Sequence, residues 1–414
     1  MGVAKLKIPA EGEKIVWRDG ELRAPDNPII PFIEGDGTGA DITPVMKRVV
    51  DAAVETLYAG RRHLHWMKLP VGEAALKEFG SSLPEEALQA IRDYRVAIKG
   101  PLTTPVGEGH RSLNVAIRQA LDLYACVRPV KWIRGLPSPV LRPEDLDIVI
   151  FRENTEDIYL GVEYAAESDA ARRFIDLVHE TQGVQLAPES AIGIKPMSRH
   201  ATERISEAAI RHAIAMKRPS ITIVHKGNIQ KYTEGAFRNW AYDYFTRVYR
   251  DLVVKETEII AERRPTEGKI VIKDRIADSM FQQLLLRPAE YSVILTTNLN
   301  GDYLSDAGAA QIGGLGMAPG GNVGDGVGVF EATHGSAPKY AGQDKVNPGS
   351  LLLSACMMLD YMGWTEAATA IREAIGETIK QRRVTYDLER LMPGSTLVSC
   401  SGFGQAIIEN LRKA

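Results

Sequence analysis

Cysteine is scarce in this sequence. Cys126, Cys356 and Cys400 are the three among 414 residues, far apart and with no CxxC pair. That excludes a disulfide framework and a cysteine zinc site, and leaves three small packing residues suited to a reducing compartment. An excess of one charge is lacking too: 50 Lys and Arg against 53 Asp and Glu leave a formal net charge of -3. Such a chain has no general field for gripping nucleic acid or an anionic membrane. No apolar run approaches the ~18 residues of a membrane span. There is no Asn-x-Ser/Thr sequon, and residues 1–14 hold no apolar core of a secretory signal. The expectation is a cytoplasmic protein with neither nucleic acid nor membrane as partner. With 44% hydrophobic and 25% charged residues, disorder is not expected either.

What is there is an alternation of strands and helices. The run Pro28–Ile33 reads as a strand, then comes the turn Glu34-Gly35-Asp36-Gly37-Thr38-Gly39. Ile42, Val45, Met46, Val49, Val50, Ala53 and Val54 follow at helical spacing. Pro84–Tyr94 reads as helix, Val96–Lys99 as strand, Asp147–Phe151 as strand, Ser206–Met216 as helix. Ser220–His225 and Tyr291–Thr296 read as further strands. The pattern predicts an α/β fold with a largely parallel sheet. Three stretches break it: a polar alternating segment over 157–198 that could form a separate layer, an exposed hairpin or loop over 251–266, and a glycine-rich loop over 313–328.

Gly35-x-Gly37-x-x-Ala40 nominally meets the dinucleotide fingerprint, with Glu55 downstream. The acid, however, lies on a helical run rather than at the end of a second strand. A tight turn needing positive φ is the better reading.

Four sets of residues carry chemistry. Ser112 and Asn114 are short polar groups beside Arg118, with Arg128 and Arg152 further on. Arginine forks match carboxylates in bidentate fashion, so their convergence would suit a ligand with several carboxylates. Spacing alone leaves open whether they are surface cations in separate places. Asp302 and Asp306 stand four apart, on one face if helical, and offer hard oxygens for Mg2+ or Mn2+. Asp278 could supply a third ligand, while capping and solvation more commonly explain such a pair. Tyr159 and Lys226 suit proton transfer if a site perturbs them. Lys339 and Tyr340 follow the His334-Gly335 turn, and Tyr386 and Arg390 stand four apart, on one face if helical: two cations and two phenols that can neutralise and hydrogen-bond a dianion.

Together these segments resemble the NADP-dependent isocitrate dehydrogenases of bacterial type. The resemblance runs from about Pro28 to the end. It is most specific over Asn298-Leu299-Asn300-Gly301-Asp302-Tyr303-Leu304-Ser305-Asp306 with the Gly313–Gly328 stretch, and also clear in the run Phe330–Asp344 and in Ser112-x-Asn114-x-x-x-Arg118. It implies a non-Rossmann fold of the isocitrate and isopropylmalate dehydrogenases. The large domain would take 1–123 and 313–414, the small domain 124–156 and 199–312, and a dimerising clasp 157–198.

It implies oxidative decarboxylation of isocitrate in the tricarboxylic acid cycle, beside the glyoxylate bypass. Ser112, Asn114, Arg118, Arg128 and Arg152 would hold the substrate, and Asp302, Asp306 and Asp278 the Mg2+ or Mn2+. Lys226 would assist removal of the hydroxyl proton and Tyr159 would protonate the enol. Thr103, His334, Gly335, Ser336, Ala337, Pro338, Lys339, Tyr340, Asn347, Tyr386 and Arg390 would bind NADP. A homodimer would share its active sites, Lys226 and Asp278 reaching across, and a kinase and phosphatase could act on Ser112. Glu108 and His110 depart from the pattern, as do residues 251–266. Isopropylmalate dehydrogenase would want leucines near position 112 for its apolar substituent. A tricarboxylate sensor would not need Tyr159, Lys226 and the aspartates together.

Overall fold

The computed structural model describes residues 6–103, 112–262, 266 and 268–411. Glu108, His110 and Arg111 lie outside the described residues.

One sheet, of eleven strands among the described residues, organises the fold. In chain order they are β1 (Ile29–Ile33), β2 (His65–Lys68), β3 (Val96–Lys99), β4 (Ala125–Lys131), β5 (Asp147–Glu153) and β6 (Ser220–His225). Then come β7 (Val253–Lys255), β8 (Ile270–Ile276), β9 (Val293–Thr296), β10 (Pro319–Gly324) and β11 (Val327–Ala332). Their order across the sheet is β7-β8-β6-β9-β5-β4-β10-β11-β3-β1-β2. The outer pairings are parallel, as expected of strands alternating with helices. The central ones, β5 with β4, β4 with β10 and β10 with β11, are antiparallel. β3, β6 and β9 are buried along their whole length, which is why they read as continuous apolar runs.

Four clusters of buried apolar residues divide at the β4–β10 seam. Two gather mainly residues before 124 and after 316. Two gather mainly residues of 125–312. The helix Gly39–Tyr58 buries the apolar positions its spacing predicts, Ile42 through Val54. Gly35 and Gly37 have φ of 89° and 54°, so the opening glycine motif is the tight turn expected. Residues 157–198 form a separate layer. Glu163–Tyr164 pairs antiparallel with Ile192–Gly193 around the amphipathic helix Asp169–Gln182. Among the described residues, no helix is long and apolar enough to cross a membrane.

Two expectations are corrected. The described part of 251–266 is not a loop or hairpin: β7 adds a parallel edge to β8 and runs into the helix Glu256–Glu262. Residues 313–328 are not one long loop, because Pro319–Gly324 is a strand of the sheet's centre. A Cβ on Gly321 would lie 2.8 Å from the Phe330 ring, so close packing rather than looseness selects glycine there.

Candidate active site

Strand register draws a charged stripe across the seam. On β4 and β5, Cys126 faces Arg152 and Arg128 faces Ile150, so the two arginines are diagonal neighbours on one face. Gly320 and Glu331 continue that face on β10 and β11, and Lys99 lies opposite Glu331 on β3. Gly320 leaves room: a Cβ there would sit 3.3 Å from Arg128 Nε. Arg118, on the helix Leu113–Ala120, joins the stripe by donating from Nη2 to Glu331 Oε1 at 2.7 Å. Lys99 Nζ lies 2.9 Å from Glu331 Oε2, both groups buried. These cations hold the Glu331 carboxyl well below its ordinary range against the opposing effect of burial. Arg118 Nε, Arg128 Nε, Arg152 Nη2 and Asn114 Oδ1 are buried without a hydrogen-bond partner among the described residues. The three guanidinium nitrogens are buried donors and call for an acceptor.

The helix Asn298–Gln311 lies against β5 with its small residues inward. A Cβ on Gly301 would come within 2.6 Å of Arg152 Cγ, so glycine is what lets the arginine stem cross the helix. Arg152 Nε donates to Asn298 Oδ1 at 2.9 Å, and its Nη1 pairs with Asp302. Tyr159, from the turn Asp157–Leu160, donates to the other Asp302 oxygen at 2.6 Å. Burial and that bond push the Tyr159 phenol up to about 12, with Arg152 opposing. The phenol is therefore a proton carrier at neutral pH. Asp302 is held below its ordinary pKa: burial opposes this, and Arg152, Tyr159 and Arg128 outweigh it. Asp306 is raised by burial, with Asp302 adding to the rise and Arg128 opposing at 3.9 Å.

Asp278 stands apart from this pair, on the helix Ala277–Leu286, with its carboxylate bound to Lys226 Nζ. Lys226 lies just beyond β6 and its backbone N–H donates to Glu234 Oε2 at 2.8 Å. Among the described residues of one chain, no cluster of three His, Cys, Asp or Glu is placed to hold a metal ion. Asp302, Asp306 and Asp278 do not form a ligand triad within a single chain. Asp302 and Asp306 nonetheless supply two hard oxygen groups one helical turn apart. That donor chemistry fits a divalent cation.

Across the seam lies a cavity of about 690 Å3. Its walls include Gly313, Gly314, His334, Gly335, Ala337, Tyr340, Asn347, Tyr386 and Arg390. Thr38, from the opening glycine turn, also lines it. Thr103 Oγ1 and Ser336 Oγ lie 2.9 Å apart, and the turn Pro338–Tyr340 follows. The Tyr340 and Tyr386 rings stack at 5.7 Å, with Lys339 Nζ 4.8 Å from the first and Lys345 Nζ 4.9 Å from the second. Asp387 is fully engaged, by Asn347 at 3.0 Å and Thr385 at 2.6 Å. His334 Nε2 is buried without a partner among the described residues. A long polar cofactor with a phosphate end fits these walls.

The structure thus brings together Arg118, Arg128, Arg152, Asp302, Asp306 and Tyr159 as one group, and the cavity residues as a second. Lys226 and Asp278 make a third pair. Sequence reading missed Lys99, Glu331 and Lys345. A glutamate alone between Phe330 and Ala332 in an apolar strand was the available signal for the second.

The sheet is continuous and mixed, with a buried charged stripe over its centre and a separate glycine-walled cavity. A family model described as isocitrate/isopropylmalate dehydrogenase matches residues 29–407, and the chain belongs to that family. It is 56% identical over 418 residues to an NADP isocitrate dehydrogenase of Pseudomonas aeruginosa, covering 99% of this chain and 100% of that protein. It is 52% identical over 415 residues to one from Archaeoglobus fulgidus, covering 100% of both. A crystal structure of isocitrate dehydrogenase from Methylococcus capsulatus superposes with a TM-score of 0.76 at 35% identity, covering 93% of this chain and 99% of that one.

Proposed function

We propose that this chain oxidises and decarboxylates isocitrate to 2-oxoglutarate and CO2, reducing NADP to NADPH in the cytoplasm. The observation that carries the reading is the stripe of Arg118, Arg128 and Arg152, each with a buried nitrogen lacking a partner among the described residues. Three such arginines match a tricarboxylate. Asn114 brings a side-chain amide whose NH2 can donate to a carboxylate, which favours a polar substituent over the apolar one of isopropylmalate, since an unmet buried polar group costs about 1–3 kcal/mol.

Residues divide the work as follows. Arg118, Arg128 and Arg152, with Ser112 and Asn114, fix the carboxylates and orient C2 toward the cavity. Lys226 assists removal of the C2 hydroxyl proton as the substrate is oxidised. Tyr159, protonated at neutral pH, delivers a proton to C3 after CO2 leaves. Asp302 and Asp306, with Asp278 from a second subunit, would hold Mg2+ or Mn2+, which when bound supplies Lewis acidity at the C2 oxygen. His334 to Tyr340, Thr103, Asn347, Tyr386 and Arg390 would hold NADP, which supplies the hydride acceptor. Lys226 and Asp278 stand apart from the Asp302 group, which supports a homodimer with shared sites, clasped through residues 157–198. The test is NADPH absorbance in the presence of isocitrate, NADP and Mn2+. Absorbance appearing with isopropylmalate instead, or with neither substrate, rejects the reading.

A further inference from the structure

Between the Tyr159 turn and the Lys226 loop lies a buried charge cluster that the proposed chemistry does not use. Lys195 Nζ lies 2.8 Å from Asp157 Oδ1 and 2.8 Å from Glu234 Oε1. Both carboxylates are fully enclosed, at 0% and 1% side-chain exposure. Their remaining valences reach three segments of the site. Asp157 opens the turn that carries Tyr159, has a left-handed φ of 69°, and accepts from the Leu299 N–H at 2.9 Å. Glu234 accepts from the Lys226 N–H and from Asn300 Nδ2, each at 2.8 Å, and from Thr297 Oγ1 at 3.0 Å. Leu299 and Asn300 belong to the first turn of the helix that presents Asp302 and Asp306.

We infer that Lys195 is a positioning residue that locks the Tyr159 turn, the Lys226 loop and the start of the Asp302 helix into one register. Two carboxylates enclosed together repel each other unless a cation lies between them. Lys195 is that cation. Burial opposes its charge, but Asp157 and Glu234 outweigh the opposition and hold the ammonium above its ordinary pKa. Lys195 and Asp157 both belong to the 157–198 layer, and the Asp157 N–H donates to Pro196 O at 3.2 Å. The proton donor and the proton acceptor of the reaction are thereby fixed through the same layer. If the sites are shared in a dimer, one cluster steadies the Tyr159 of its own site and the Lys226 of its neighbour's.

This inference rests on the function proposed above, and the tests separate the two. Isocitrate-dependent NADPH formation by the unaltered protein tests the function alone. In Lys195→Met, two partial reactions are then followed: exchange of the C3 hydrogens of 2-oxoglutarate with solvent, which reads Tyr159, and NADPH-dependent reduction of oxalosuccinate, which reads Lys226. Both are expected to fall on the order of 10- to 100-fold, the scale on which outer-shell partners act, with the KM for NADP unchanged. A fall in only one, or a loss of thermal stability with both rates intact, overturns the coupling. If Lys195→Met does not fold, Lys195→Met with Glu234→Gln removes the excess charge, and normal rates in that variant overturn it likewise. A crystal structure of a folded variant tests the coupling without any activity. A displaced Lys226 loop beside an unchanged Tyr340–Tyr386 stack is expected, and an unmoved loop rejects it.

Discussion

Tyr159 and Asp302 share one hydrogen bond of 2.6 Å, which adds to burial in pushing the phenol up and to Arg152 in pulling the carboxyl down. The pair keeps a proton on the group that must deliver it and a charge on the group that must attract a cation. Asp302→Asn removes that charge while keeping the shape. Turnover is expected to drop by about two orders of magnitude or more, and the Mn2+ concentration for half-maximal rate to rise, since an amide is a poorer ligand for a hard cation. A metal titration of the steady-state rate checks this; near-normal activity at ordinary Mg2+ rejects the assignment.

Gly301→Ala sets two effects against each other. Alanine in a helix interior is favoured over glycine by about 1 kcal/mol. The new methyl, however, would stand 2.6 Å from the stem of Arg152, which Asn298 and Asp302 hold from both sides. Overpacking of this kind costs about 1–3 kcal/mol, so the clash wins. The variant should melt lower and bind isocitrate more weakly, by thermal denaturation and by KM; a stabilised enzyme with normal KM would contradict the packing.

Glu331→Gln leaves Lys99 and Arg118 without their shared counter-ion in a buried place. The expected cost at neutral pH is about 3–5 kcal/mol. The pH dependence follows from the lowered Glu331 carboxyl. Its stabilising contribution is present above the unfolded value near 4.3 and is lost as pH falls toward the folded value. The unaltered protein should therefore lose stability more steeply below about pH 4 than the variant does. Melting temperatures across an acid series decide it, and parallel curves would count against the buried pair.

Much of this was legible beforehand, and the failures have physical causes. Val96–Lys99 and Ser220–His225 have the boundaries their apolar runs suggest, because fully buried strands leave a strong signal. Pro319–Gly324 was hidden because glycine marks both loops and places where a neighbouring ring packs onto the backbone. Asp157, Lys195 and Glu234 were invisible for another reason. They come from three segments, carry no spacing motif, and read singly as surface charges. Arg128 and Arg152 lay between these cases: their residue type suggested a carboxylate site, but only the antiparallel register places them side by side.

Cofactor choice should follow the cations around the Tyr340–Tyr386 stack. Lys339 and Lys345 lie on these rings and Arg390 lines the same cavity, while Asp387, the nearby acid, is tied up by Asn347 and Thr385. A dianionic 2′-phosphate is favoured over free ribose hydroxyls. Lys339→Asp with Tyr340→Ile should raise the KM for NADP far more than that for NAD. Specificity constants for both cofactors, before and after, measure this; equal use of NAD by the unaltered enzyme defeats it.

Ser112 stands at the N-cap position of the helix that carries Arg118 and Asn114. A phosphate there would add about -1.5 to -2 charges beside a carboxylate subsite. Ser112→Asp should be nearly inactive and Ser112→Ala only moderately weakened, in kcat/KM for isocitrate. Equal activity of the two would remove the electrostatic basis for control by a kinase and phosphatase.

The antiparallel centre of the sheet also imposes an order of manufacture. β1 to β3 emerge from the ribosome first, and β4 to β9 next, before β10 and β11 exist. Each group leaves one strand, β3 or β4, with a bare row of amides and carbonyls along its flank. The hairpin of β10 and β11 covers both at once, β10 against β4 and β11 against β3. It is the keystone of the arch: a newborn chain stays open to chance pairing along two edges until its last quarter has been translated.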